Sequence, residues 1–160
     1  MNRILGVFAF LGLILSLAVH VSALLGIDVS AKIPFVWLLH IGVFLVFVPF
    51  VFASRKVLGD KPTLSHIRTL LPGWVVAVGA VIVVYALVNF LLFFLRTQGG
   101  NAAIQDGHFV LLEHGRLIRE LSESEYTSFR VNHVRGFSGH WLVLYYMPFS
   151  YFMFSKKPNP

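Results

Sequence analysis

Four polar side chains that could bind a ligand interrupt long apolar stretches of this sequence: His20, His40, Asn89 and His140. Imidazole nitrogens ligate haem iron and divalent metals, and histidine relays protons near neutral pH. Counted from the nearer ends of their stretches, all four lie roughly 5 to 9 Å below one common face of a membrane. This layer predicts a haem, metal or proton site, and packing of each side chain against a neighbouring helix is the structural alternative.

A second candidate is Ser138, which lies in the G-x-S-G pattern Gly136-Phe137-Ser138-Gly139. The pattern resembles the one in which rhomboid proteases carry their serine nucleophile, with a histidine base on another transmembrane helix. The resemblance is confined to four residues, because rhomboids have a six-helix core and this chain continues with the bulky His140-Trp141-Leu142. Small residues at the start of a helix also explain the pattern, so we expect no catalytic residue.

Long uncharged runs must position these side chains. The chain of 160 residues is 57% hydrophobic and 12% charged, whereas an ordinary soluble domain is roughly 25% charged. Runs 4–25, 35–53 and 74–95 carry no formal charge and are long enough, as helices, to cross a hydrocarbon core about 30 Å thick. They predict three transmembrane helices. Run 137–154 predicts a fourth, although its small residues and Pro148 also suit a re-entrant or interfacial segment.

Residues 96–136, which we call the cap, form the largest segment outside these runs. Two strands, 108–113 and 116–121, are predicted to form a hairpin that turns at His114-Gly115, after a flexible turn at Gly99-Gly100-Asn101. A capping box from Ser122 to Glu125 predicts a helix that ends at Gly136.

Alternation predicts that the hairpin is apolar on both faces, and such a hairpin is not stable alone. The cap helix would cover one face, and a second copy or a protein partner would cover the other. The predicted strand faces are, on one side, Val110, Leu112, Leu117 and Leu121, and on the other, Phe109, Leu111 and Ile118.

The predicted fold is therefore an all-α membrane protein, a bundle of four transmembrane helices with the hairpin-plus-helix cap between the third and fourth and a tail at 155–160. Its net charge of +6 comes from Lys and Arg beside the apolar runs, which orient the chain in a membrane and do not indicate nucleic acid. Both termini, with Lys156 and Lys157 as anchors, are predicted to be cytoplasmic and the cap periplasmic. No cysteine is present to form a disulfide or a thiolate site.

Several short motifs in residues 106–141 resemble the C-terminal part of small, uncharacterised bacterial inner-membrane proteins. The resemblance implies a bacterial inner membrane and four helices, and it carries no activity. The motifs are Asp106-Gly107-His108-Phe109, His114-Gly115, Arg119-Glu120-Leu121, Glu125-Tyr126 and Arg135-Gly136-Phe137-Ser138-Gly139-His140-Trp141.

The favoured function is interaction, as an accessory subunit, a sensor or an immunity-type protein that uses the cap for recognition. The expected partners are the lipid bilayer and, through the cap, a second copy or another protein. The alternatives are a haem- or metal-binding protein that uses the layer of His20, His40, Asn89 and His140, and a homo-oligomeric pore.

Overall fold

The computed structural model describes residues 2–156 and is mostly helical (75%). Three helices are long and apolar enough to cross a membrane, as predicted: α1 (Asn2–Leu24), α3 (Leu38–Leu58), which follows a 3-10 turn at Pro34–Trp37, and α5 (Gly73–Thr97). Two short helices lie in the connections, α2 (Val29–Lys32) and α4 (Leu64–Leu70). The predicted anchor Lys157 lies outside the described residues.

The fourth long helix, α6 (Glu123–Phe154), has 32 residues and begins inside the cap, so the cap helix and run 137–154 form one continuous helix. It begins at the predicted capping box, where the Ser122 hydroxyl accepts a hydrogen bond from the Glu125 amide at 3.2 Å and the Glu125 carboxylate accepts one from the Ser122 amide at 2.9 Å. The prediction that this helix ends at Gly136 is wrong. Gly136 is buried within α6, and the ring of Phe93 occupies the space that a Cβ would need. The glycine therefore permits close packing of α5 on α6.

Helix α6 lies at the centre of the bundle and contacts α1, α3 and α5. Fourteen of its residues are buried, compared with two in α3 and three in α5. Its neighbours are other helices on several sides, so its sequence can carry polar groups that pair with them. This position explains why α6 is less apolar than the three helices that surround it.

The two ends of α6 lie at opposite ends of the bundle. Near its start, Arg130 contacts Asp28 in the connection between α1 and α3. After its last turn, the Lys156 amide donates to the carbonyl of Leu70 in α4 at 2.9 Å. Because α4 and the α1–α3 connection are separated by the length of α3, α6 runs the full length of the bundle.

Tyrosines of α6 fix its rotation against two neighbours. The hydroxyl groups of three tyrosines donate to backbone carbonyls, which belong to α3 in two cases and to α5 in the third. The pairs are Tyr145 with Leu39 at 2.7 Å, Tyr151 with Ala53 at 3.0 Å, and Tyr146 with Val75 at 2.7 Å. A rotation of α6 would leave these buried or half-buried hydroxyl groups without partners, at about 1–3 kcal/mol each.

The cap holds a three-stranded antiparallel sheet in the order β1 (Asn101–Gln105), β2 (His108–Glu113) and β3 (Arg116–Glu120). The predicted hairpin of β2 and β3 is confirmed, with Glu113 opposite Arg116. Its two turn residues, His114 and Gly115, have φ angles of 49° and 82°, which suit a type I′ turn.

Strand β1 was not predicted, because Gly99-Gly100-Asn101 indicated a flexible turn. Among the residues of β1, Asn101–Gln105, only Ile104 strongly favours a strand. The connection from β1 to β2 is a second tight turn at Asp106-Gly107, where both residues have positive φ angles. Asp-Gly is a strong hairpin signal, and it was the available clue to this strand.

The predicted alternation of the hairpin faces is interrupted in β3. Leu111 pairs with Arg119 and Leu112 pairs with Leu117, so Ile118 is an extra residue in β3 at a bulge. Consecutive residues Val110 and Leu111 are both buried, with 4% and 1% of their surface exposed. The bulge shifts the register of β3 after Leu117, and Leu111 and Ile118 still lie side by side next to Gly100, as the predicted faces have them.

Candidate functional site

The structure brings two of the four predicted side chains together. A Cβ built at Gly139 of α6 would collide with the amide nitrogen of Asn89 and would lie 3.5 Å from Cε1 of His20. His20 from α1 and Asn89 from α5 therefore meet on the surface of α6 at a glycine that leaves room for both. Each has 2% of its surface exposed.

The other two side chains have separate partners. Nδ1 of His40 accepts a hydrogen bond from the indole N–H of Trp141 at 2.9 Å. Nδ1 of His140 lies 2.8 Å from the carbonyl oxygen of Gly136, one turn earlier in the same helix. Of the predicted layer, the structure therefore brings His20 and Asn89 together and gives His40 and His140 other hydrogen-bond partners. Within residues 2–156, no group of three or more His, Asp or Glu side chains could hold a metal ion.

A polar network that connects three helices surrounds His20. Its Nδ1 lies 2.8 Å from the hydroxyl of Ser138 on α6, and its Nε2 lies 2.5 Å from the hydroxyl of Tyr85 on α5. Ser138 has none of its surface exposed. We call His20, Ser138 and Tyr85 the polar network.

One proton arrangement satisfies every polar atom of the network. The Ser138 hydroxyl donates to the carbonyl of Arg135 at 3.2 Å, a bond to the preceding turn that helical serines often make. Because the hydroxyl has one proton, Ser138 then accepts from the N–H at Nδ1 of His20. The unprotonated Nε2 of His20 accepts from the hydroxyl of Tyr85.

This arrangement differs from a nucleophile and its base. A base must accept the serine proton, and in the arrangement in which Ser138 donates to Arg135 the ring nitrogen next to Ser138 carries a proton of its own. Ser138 is also enclosed by helices, so a substrate carbonyl has no access to its oxygen in this structure. The network joins α1, α5 and α6, and the G-x-S-G pattern supplies small residues where those helices come close.

Asn89 connects α5 to the same turn of α6. Its amide nitrogen donates to the carbonyl of Arg135 at 3.2 Å and lies 3.5 Å from the carbonyl of Gly136. Four residues later along α5, the carbonyl of Phe93 accepts from the amide of Asn132 at 3.2 Å. Two asparagines on different helices thus tie α5 and α6 together through backbone carbonyls, which is a packing role.

An ion pair fastens the connection between α1 and α3 to α6. Nε of Arg130 donates to the Asp28 carboxylate at 2.7 Å, and Ser30 donates to the same carboxylate at 2.6 Å. Burial alone would raise the pKa of Asp28, but the hydrogen bonds from Ser30, Arg130 and the Ala31 amide lower that pKa below its ordinary value. The hydrogen bond to Asp28 raises the pKa of Arg130 in turn.

A cavity of about 760 Å³ opens between the cap and the cap-side ends of α1 and α5. Three arginines line it: Arg96 at the end of α5, Arg119 in β3 and Arg135 in α6. Sequence reasoning did not find this group, because the three residues come from different elements and share no spacing. The buried charge of Arg135, next to an apolar run, was the one available signal.

Comparison with protein-family models, with curated proteins and with solved structures finds no match to this chain. The geometry of the bundle and of the cap therefore carries the functional argument.

Proposed function

We propose that this chain is a multi-pass protein of a bacterial inner membrane that crosses the bilayer four times and acts by interaction through its cap. The observation that carries this proposal is the exposure of large apolar side chains on the sheet of the cap. Ile104, Leu117 and Ile118 are 59%, 60% and 44% exposed, although a short sheet of this size needs cover for its apolar surface.

Exposed apolar surface on the three apolar helices supports the bilayer as the surrounding medium. Leu45 of α3, Val81 of α5 and Leu95 of α5 are 71%, 69% and 77% exposed. In water each would forgo the roughly 1.5–3 kcal/mol that burial of such a side chain yields. Acyl chains would cover this surface around the whole bundle.

The course of α6 supports a fourth crossing. The helix lies alongside α1 and α5 in the antiparallel direction, and its ends reach the two opposite ends of the bundle. On this proposal both termini are cytoplasmic and the cap is periplasmic. Seven Lys and Arg residues then lie on the cytoplasmic side in short segments, and six lie on the cap side in longer segments, so the density of positive charge favours this orientation.

The cap supports interaction because the polar groups inside the bundle are used in packing, whereas the part of the sheet around Ile104, Leu117 and Ile118 is exposed. Strands β1 and β3 are both edges of the sheet, and an edge strand can pair with an added strand of another chain. The partner would be a protein that contacts Leu117 and Ile118, or a second copy of this chain. An accessory subunit, a sensor or an immunity-type protein would use such a surface.

The haem or metal alternative is less well supported. In the described residues, His40 is hydrogen-bonded to Trp141 and His140 to the carbonyl of Gly136, and neither is hydrogen-bonded to His20. No specific observation favours a pore.

Site-specific photo-crosslinking in native membranes tests this proposal. A photo-reactive amino acid at Leu117 is expected to give a discrete protein adduct that disappears when Ile118 is replaced by Asp. The matched control is the same probe at Leu64 of α4, which is similarly exposed (56%, compared with 60% for Leu117) but lies at the other end of the bundle. An adduct of twice the chain mass would identify a second copy as the partner. Adducts only with lipid at Leu117 would overturn the proposal.

A further inference from the structure

The cavity under the cap contains an arginine, Arg135, that has no counter-ion among residues 2–156. Arg135 has 6% of its surface exposed and lines the cavity. Within residues 2–156, its Nε has no hydrogen-bond partner, and none of the ion pairs includes it. Its side chain donates to the amide oxygen of Asn132 at 3.1 Å. A buried arginine in this state lacks an anion that would offset its desolvation.

The other charged side chains that line the cavity do not neutralise the charge of Arg135. Arg119 donates to the carboxylate of Glu125 at 2.9 Å, so those two charges offset each other. Arg96 forms no ion pair among the described residues, and it is exposed. In the part of the chain that the structure describes, Arg96 and Arg135 are therefore two positive charges at the cavity without an ion-pair partner. This excess favours an anion over a cation.

We propose that this cavity binds a phosphate group through Arg96 and Arg135. Guanidinium groups present planar forks of N–H donors that match the oxygens of phosphate, and a phosphate can accept from both arginines at once. A cavity of about 760 Å³ is large enough for a phosphorylated head group as well as for a free ion.

Two sources can supply this phosphate, and the walls of the cavity favour the lipid source. Leu24, Leu95 and Phe129 line the cavity beside the arginines, and Leu24 and Leu95 lie in the last turns of two apolar helices. Basic pockets between transmembrane helices bind anionic head groups in this way. The lipid source depends on the proposed membrane location, whereas the phosphate site does not.

Binding measurements on the full-length protein in phosphate-free detergent test the proposal. The probes are inorganic phosphate, a short-chain phosphatidylglycerol and the corresponding diacylglycerol, which lacks phosphate, all at constant ionic strength. The readouts are the apparent Kd and the midpoint of thermal unfolding. We expect saturable binding of phosphatidylglycerol and no binding of the diacylglycerol.

Two arginine variants and a charge-matched control test whether binding depends on Arg96 and Arg135. Arg96→Gln and Arg135→Gln are each expected to weaken binding by about tenfold or more, since each removes charge-assisted hydrogen bonds. Arg116→Gln removes the same charge from the exposed end of β3, outside the cavity, and is expected to bind as the wild type does. Arg96 is exposed, so its variant keeps the test valid if Arg135→Gln does not fold.

Each outcome decides between the sources or against the site. Binding of phosphatidylglycerol alone supports a lipid head group, and binding of inorganic phosphate with the same arginine dependence supports a free phosphate. Absence of binding by both phosphate probes, or unchanged binding in Arg96→Gln, would overturn the site. Phosphate binding in a protein whose α6 does not cross the membrane would keep the site and reject the proposed function.

Discussion

His20 and Ser138 are 118 residues apart in the sequence, and Nδ1 of the histidine lies 2.8 Å from the hydroxyl of the serine. With Tyr85 at 2.5 Å on the other ring nitrogen, the imidazole connects three helices at one level of the bundle. Both His20 and Ser138 are almost completely buried. An unpaired polar atom at this position would have no water to replace its partner.

Replacement of Ser138 by Ala should therefore destabilise the bundle. The change removes the hydroxyl that pairs with His20 and leaves a buried ring nitrogen unsatisfied, which we expect to lower the free energy of unfolding by about 1–2 kcal/mol. The measurement is thermal unfolding in detergent, and the control is Ser22→Ala, whose exposed hydroxyl bonds only to Ala18 of its own helix. Equal unfolding midpoints for Ser138→Ala and Ser22→Ala would contradict the claim that the hydrogen bond between Ser138 and His20 stabilises the bundle.

Gly139 should not tolerate even a methyl group. A Cβ there would collide with Asn89 and approach His20, so Gly139→Ala should separate α6 from α1 and α5. We expect a loss of about 1–3 kcal/mol from overpacking. Gly73→Ala is the matched control, because a Cβ at Gly73 has no atom within 4 Å. The expected order of unfolding midpoints is wild type and Gly73→Ala together, with Gly139→Ala well below them. A stable Gly139→Ala protein would show that the helices are not this close.

The Asp28–Arg130 pair should make the cap end of the bundle sensitive to acid. The pKa of Asp28 in the folded protein lies below its ordinary value of 3.8. The ionised carboxylate therefore stabilises the fold at pH values above 3.8. This contribution disappears as pH falls through the lowered pKa of Asp28.

We accordingly expect Asp28→Asn to be less stable than the wild type at neutral pH, by about 1 kcal/mol. The difference in unfolding midpoint should shrink as the pH is lowered below about 4. Asp106→Asn, in the exposed turn between β1 and β2, is the control and should match the wild type at neutral pH. A difference between Asp28→Asn and the wild type that is constant with pH would count against the ion pair.

Ser138 should not react as a nucleophile. Its oxygen is fully buried, and the adjacent nitrogen of His20 carries a proton in the arrangement that satisfies all three side chains. We expect a fluorophosphonate probe to give no adduct at Ser138 in membranes, as judged by mass spectrometry. An adduct at Ser138 that is lost in His20→Ala would establish the pair as catalytic.

Helices were easiest to predict from the sequence where most of their side chains face away from the rest of the protein. Helices α1, α3 and α5 were predictable because their exposed apolar surfaces give long uncharged runs. Helix α6 was less predictable, because surrounding helices supply partners for its polar residues. Gly136 resembled a helix end, and only its contact with Phe93 shows why a glycine lies there.

Helix rotation determines the candidate sites, and the sequence does not encode it in any local pattern. The depth of His20, His40, Asn89 and His140 could be counted, but their directions depend on contacts such as those of Tyr145 and Tyr146 with neighbouring helices. The arginine cavity was not found for a similar reason. Arg96, Arg119 and Arg135 meet only after the sheet folds over the end of the bundle.

Cysteine labelling tests the central claim, that α6 crosses the bilayer and separates the cap from the C-terminal end. The chain has no cysteine, so Glu113→Cys in the cap, Ser65→Cys in α4 and Lys156→Cys after α6 each give a single exposed thiol. With a membrane-impermeant maleimide on intact spheroplasts, we predict that only Glu113→Cys is labelled, and that the other two react after permeabilisation. Labelling of Glu113→Cys and Lys156→Cys from the same side would contradict the four-span account.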